Sequence, residues 1–156
     1  MPGYGILGAD EGTGLLPWAW AAERLASSHD YFVATVTPEG GPHLMPVWGV
    51  WDDTALWFSS SPTSRKARNL AHDGRVAMST DDALAPVVVE GTARRVEDVG
   101  TVERFTRLMN AKYGTDYPVQ FYAGNACFRL AVDRVFGIDT GDFAGSPTRW
   151  DLGAGA

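Results

Sequence analysis

Ten residues, Ser61-Pro62-Thr63-Ser64-Arg65-Lys66-Ala67-Arg68-Asn69-Leu70, bring hydroxyls and cations together at one junction. Before them lies the apolar, β-type run Ala55-Leu56-Trp57-Phe58, and from Ser64 to Ala71 the residue types favour helix. Thr63 or Ser64 can cap the first turn of that helix. A helix N-terminus presents unpaired N–H groups and about half a positive charge, so a phosphate placed there is favoured. Ser64, Arg65, Lys66 and Arg68 add direct donors. The chemistry this spacing fits is anion binding, with phosphate as the best guest. Charge runs usually face water, so charge alone leaves a solvated basic helix open, and the elements around the stretch have to decide.

Those elements read as one domain spanning residues 1–156, long enough to bury a core. Residues 1–14 hold five glycines and no periodic pattern, and read as a loose arm that reaches over a partner. Pro17 opens a short amphipathic helix with Trp18, Ala21, Ala22 and Leu25 on one face. Strands are expected at Tyr31 to Thr37, His43 to Trp51, Thr54 to Ser60, Arg75 to Thr80, Ala85 to Val96 and Cys127 to Val135. Pro38-Glu39-Gly40-Gly41 and Asp52-Asp53 turn the first three into an antiparallel meander, and Gly91 marks a bulge or close backbone contact. Val102, Phe105, Met109 and Tyr113 recur at helical spacing behind the candidate cap Asp98, in a helix expected to cover one barrel opening. Gly137 to Gly145 reads as loop. Six strands with short links and no βαβ rhythm give a mainly β (α+β) class: a six-stranded antiparallel barrel with flanking helices.

Composition narrows the function. With 45% apolar, 12% aromatic and 21% charged residues the chain is an ordinary globule, and no apolar run is long enough to span a bilayer. A net charge of −6 argues against a general nucleic-acid binder, so any anion site is local. The lone Cys127 forms no internal disulfide and reads as an inert buried thiol, and the absence of a leader pattern gives a cytoplasmic expectation. No GxGxxG, Walker, paired-Cys or Gly-x-Ser-x-Gly sequence occurs, and three scattered histidines make no metal site. His43 reads as a solvent-facing strand residue, and nothing stands out as a catalytic acid or base.

Pro42-His43-Leu44-Met45-Pro46-Val47-Trp48, then Leu56-Trp57-Phe58-Ser59-Ser60, then Ser64-Arg65-Lys66-Ala67-Arg68-Asn69-Leu70, followed by Val87-Val88-Val89-Glu90-Gly91-Thr92-Ala93, stand in the order of a known family. The chain resembles the pyridoxamine-phosphate-oxidase-like flavin/deazaflavin split β-barrel family from about Tyr31 to Asp139. The resemblance implies a homodimer with FMN or the deazaflavin coenzyme F-420 in a groove between subunits and hydride transfer to a small organic acceptor. Ser59, Ser60, Ser64, Arg65, Lys66 and Arg68 would lie on the phosphate side, and Met45, Pro46, Val47 and Trp48 along the ring. Pro46 departs from the pattern because it has no N–H to offer a ring. Lys66-Ala67-Arg68-Asn69-Leu70 resembles the actinobacterial branch, and a basic set made almost wholly of arginine suits a GC-rich source, which tips the expectation toward F-420. Trp150 is a further candidate for the cofactor or for tail packing; Trp18, Trp20 and Trp57 read as packing.

Two alternatives stay open. One is an FMN-dependent oxidase of pyridoxamine or pyridoxine 5'-phosphate, although Arg129, Arg134 and Arg149 lack the spacing of that enzyme's Arg-x-His tail. The other is a non-enzymatic carrier or sensor of a flavin or haem on the same barrel.

Overall fold

The computed structural model describes residues 4–153. Helix α1 (Trp18–Ser27) leads into β1 (Asp30–Val36), β2 (Pro42–Trp51) and β3 (Ala55–Ser60), the expected meander. Helix α2 (Arg65–His72) follows, then β4 (Arg75–Thr80), β5 (Val87–Val96), α3 (Val99–Tyr113), α4 (Val119–Ala123), β6 (Ala126–Gly137) and β7 (Thr148–Asp151). The strand order is β3-β2-β1-β4-β5-β6, and β6 pairs back onto β3, so a six-stranded antiparallel barrel closes. Strand β7 lies outside it, paired with the C-terminal half of β6. The ladder between β5 and β6 shifts register at Glu90/Gly91, where the sequence places a bulge.

Alternation sets the two sides of the barrel wall. Tyr31, Val33, Leu56, Phe58, Val89, Phe128 and Leu130 fill the interior, and Ala21 and Leu25 of α1 and Ala67 and Leu70 of α2 close onto the same core. A second cluster sits on the outer face, where Val102, Phe105 and Met109 of α3 and Tyr122 of α4 cover Val50, Trp57 and Cys127. Helix α3 therefore covers the outer wall and not a barrel opening. The reason lies in β3, where Ala55, Leu56, Trp57 and Phe58 are all buried: a strand apolar on both faces needs cover on both.

Three further departures from the sequence reading have local causes. The described part of the N-terminal arm lies against its own chain: Leu7 N donates to Ala144 O at 3.1 Å, Leu16 N to Thr148 Oγ1 at 2.8 Å, and Arg149 pairs with Asp10. Ile6 is buried there beside Pro86, Val88 and Phe136, an apolar anchor that holds a glycine-rich segment down. Residues 1–3 of the arm fall outside the described residues. Helix α4 and strand β7, absent from the sequence reading, are one turn and four residues long. Within the expected loop, Thr140–Asp142 forms a 3-10 turn capped by Asp139.

Candidate functional site

Strand β2 changes partners along its length. Residues 42–48 pair with β1, whereas only Gly49–Trp51 pair with β3. The N-terminal half of β2 thus keeps one edge without a strand, and β3 runs on past it to Ser60 and α2. Pro46 is tolerated because that free edge needs no N–H from it.

At the end of β3 the cradle assembles. Ser64 is the N-cap of α2, and its Oγ accepts from Ala67 N at 3.2 Å. Ser60 Oγ donates to Ser64 Oγ at 2.9 Å, and Lys66 Nζ donates to Ser60 Oγ at 3.2 Å. Both acceptor positions of Ser64 are filled, so its own proton is free for another group. Lys66 uses one of its three protons on Ser60, and neither Lys66 nor Arg65 has a carboxylate within salt-bridge distance among the described residues. Burial holds the Lys66 ammonium below its ordinary pKa, which means the charge lacks the solvation or counter-ion it would have in open water. Arg68 Nη1 donates to Thr63 O at 2.5 Å and braces the turn that enters the helix. Ser59 lies apart from this group: it is opposite Cys127 on β6, on the outer side of the wall, whereas Ser60 faces inward.

The four strand residues expected along a ring divide between two faces. Met45 and Val47 stand opposite Val33 and Tyr31 and share the interior face, where Val47 is buried and Met45 emerges at the free edge. Pro46 and Trp48 stand opposite Phe32 and Asp30 on the outer face, which also exposes Leu44 and Val36. Trp48 is stacked on Tyr113 of α3, with centroids 4.2 Å apart and planes 4° from parallel, and His29 meets both rings edge-on. Trp150 is elsewhere: it packs against Trp18, which in turn meets Trp51 near the β2–β3 turn.

Three residues near the site escaped sequence reasoning. His43, opposite the buried Thr35, turns toward α2 and not simply to solvent; burial first, then the Arg65 and Lys66 charges, lower its pKa. Lys112 and Tyr113 fill the place where β1 ends and Gly49 has no strand on that side. Lys112 Nζ donates to Gly49 O at 2.8 Å and to Tyr31 Oη at 2.9 Å. Tyr113 Oη accepts from Gly49 N at 2.8 Å and donates to His29 O at 2.6 Å. Burial pushes Lys112 down to about 8 against the pull of Asp81 and Asp30. These contacts join residues more than sixty positions apart, and the one local hint was that Lys66 and Lys112 are the only lysines.

Comparison with known proteins gives this geometry a context. No curated protein matches the chain. Among solved structures, the conserved hypothetical protein Rv2991 from Mycobacterium tuberculosis is 28% identical with a TM-score of 0.72, covering 80% of this chain and 86% of that one. A heme binding protein from Mycobacterium smegmatis is 26% identical with a TM-score of 0.65, over 87% of this chain and 59% of that one. A structure named F420 reductase, 24% identical over 77% of this chain and 98% of its own, shares the fold with a TM-score of 0.61. The family profile described as pyridoxamine 5'-phosphate oxidase matches residues 20–138, and the chain belongs to that family.

Proposed function

We propose that the protein is a flavin- or deazaflavin-dependent oxidoreductase that binds coenzyme F-420 or FMN with its phosphate at the N-terminus of α2. The observation that carries this reading is the surplus of donors at Ser64 and Lys66: both acceptor positions of the Ser64 hydroxyl are filled and its proton is free, and Lys66 spends only one of its three protons, on Ser60. Such a site rejects cations and fits an anion. The family binds flavins, and an F420 reductase is built on the same barrel, which keeps the deazaflavin beside FMN. A bound flavin or deazaflavin supplies hydride transfer, and the chain itself has to bind, orient and exclude water. Lys66, Arg65 and the α2 N–H groups anchor the anionic end, while Met45, at the free edge of β2, offers an apolar contact on the same face as His43. Phe32, Leu44, Pro46 and Trp48 on the outer face then meet a second copy, completing a groove between subunits in a C2 homodimer.

The test is titration of the purified protein with FMN and with coenzyme F-420 under anaerobic conditions, followed by turnover with small organic acceptors. Saturable binding of either, with oxidation of the reduced form only when an acceptor is present, supports the reading; binding of neither removes it. Pyridoxine 5'-phosphate serves as a separate substrate. It is not expected to turn over, because Arg134 and Arg149 are engaged by Glu90, Asp151 and Asp10 and hold no open anion site. The likeness to a heme binding protein favours one second reading, a carrier without turnover. A Soret band on adding haem, with no response to either flavin, selects it.

A further inference from the structure

His43 stands opposite Thr35 in the β1–β2 ladder and shares its face. Thr35 is 2% exposed, and its Oγ1 accepts from Nδ2 of Asn69, also 2% exposed, at 2.9 Å. Lys66 precedes Asn69 by three positions and so lies on the same side of α2. One flank of the helix therefore presents Lys66 and Asn69 together to the Thr35–His43 pair.

The imidazole Nδ1 is 3.4 Å from Thr35 Oγ1. A hydroxyl has one proton to give. With Asn69 donating to its oxygen, the Thr35 proton has His43 Nδ1 as its one acceptor among the described residues. The buried Thr35 proton is satisfied only when Nδ1 is the acceptor, which assigns the proton of the neutral ring to Nε2. The charged groups acting on the ring are Arg65 and Lys66 of α2, and β1 brings only the uncharged Thr35.

We propose that His43 is a further anion ligand of the cradle, donating from Nε2 to the bound phosphate, and that Thr35, itself held by Asn69, is a positioning residue that fixes this tautomer. The inference rests on the reading of the α2 N-terminus as a cofactor-phosphate site and adds a third wall to it. A proton link follows. An anion beside the ring favours imidazolium, so binding raises the His43 pKa and takes up a proton. The part of the His43 contribution to affinity that depends on its charge is then complete below the free-state pKa and lost as pH rises through the bound-state pKa, where the neutral Nε2–H still donates.

The deciding experiment is proton–nitrogen correlation spectroscopy of the three imidazoles in the whole protein across pH, alone and with inorganic phosphate, FMN or coenzyme F-420. His29→Gln and His72→Gln assign the spectrum. The free protein is expected to show His43 neutral with its proton on Nε2, a preference that Thr35→Val removes. Saturation with a probe is expected to raise the His43 pKa by about one unit, a tenfold linkage, while His29 does not move. A ring protonated on Nδ1 in the free protein overturns the proposal. So does a His43 pKa that stays fixed on saturation with a probe that Lys66→Ala releases. If FMN and F-420 both fail to bind, the cofactor reading falls, and the phosphate arm still decides: a rise in the His43 pKa with phosphate upholds the ligand role, and no rise overturns it.

Discussion

At the scale of single residues, Lys112 and Lys66 put the chain's two lysine ammonium groups to different uses. Lys66 keeps protons in reserve for a ligand, whereas Lys112 spends its donors on Gly49 O and Tyr31 Oη and ties the end of α3 to the barrel. Its pKa of about 8 lies below the ordinary lysine value of 10.5. Between those values the unfolded chain binds more protons than the folded one, so this group makes stability rise as pH increases from about 8 toward 10.5. Thermal melts of wild type and Lys112→Met across pH 7.5 to 10 are expected to show this rise in the wild type relative to the variant. Taking the difference cancels the opposing contribution of Cys127, whose thiol burial pushes up to about 11. Parallel pH curves for the two proteins would contradict a buried, partly desolvated Lys112. Of these residues only Lys66 was legible in advance, because its neighbours in sequence are its neighbours in space. His43 and Lys112 draw their roles from partners on other elements, Thr35 and Tyr31, which no local pattern announces.

At the scale of elements, the strands were legible and their coverings were not. Runs such as Tyr31 to Val36 and Leu56-Trp57-Phe58 declare a strand through β-branched and aromatic types, and Asp98 caps α3 as expected, accepting from Thr101 N at 3.0 Å. Periodicity shows that Phe105 and Met109 are buried but not against what, which is why α3 was expected over a barrel opening and lies on the outer wall. Helix α4 and strand β7 are too short to carry a period and exist through tertiary contacts, Tyr122 against Phe105 and Trp150 opposite Val135. Gly91 shows the opposite case, a single residue type that fixes an element. A Cβ there would come within 2.0 Å of Ala131 O, a backbone atom that cannot swing aside. Gly91→Ala is expected to cost about 1–3 kcal/mol, the usual scale for overpacking, as a lowered midpoint in chemical denaturation. An unchanged midpoint would mean that the β5–β6 bulge is not tight. Trp48 belongs to this scale too. It is 41% exposed and stacked on Tyr113, so Trp48→Ala is expected to cost about 0.5–1.5 kcal/mol, the scale of an aromatic pair. A loss of about 3–5 kcal/mol, that of emptying an aromatic core site, would place it in the barrel interior instead.

At the scale of the whole molecule, the outer face of β1 and β2 and the cradle at α2 belong to one account. Phe32, Val36, Leu44 and Trp48 are each between 38% and 60% exposed on one continuous sheet face, and a face of that kind is expected to be covered by a second copy. Leu44→Asp places a charge in its middle. Light scattering is expected to give twice the 16.8 kDa chain mass for the wild type and the single-chain mass for the variant; a wild type that is monomeric at micromolar concentration would contradict the shared groove. The groove matters only if the N-terminus of α2 binds the phosphate of a flavin or deazaflavin. Equilibrium titration of FMN and coenzyme F-420 into wild type and Lys66→Ala, read by fluorescence, tests it most directly. Saturable binding to the wild type is expected, with a loss of about 1.5–3 kcal/mol in the variant, the scale of a hydrogen bond to a charged group, or about ten- to a hundredfold in affinity, and with melting behaviour nearly unchanged. Superimposable titration curves for the two proteins would contradict it.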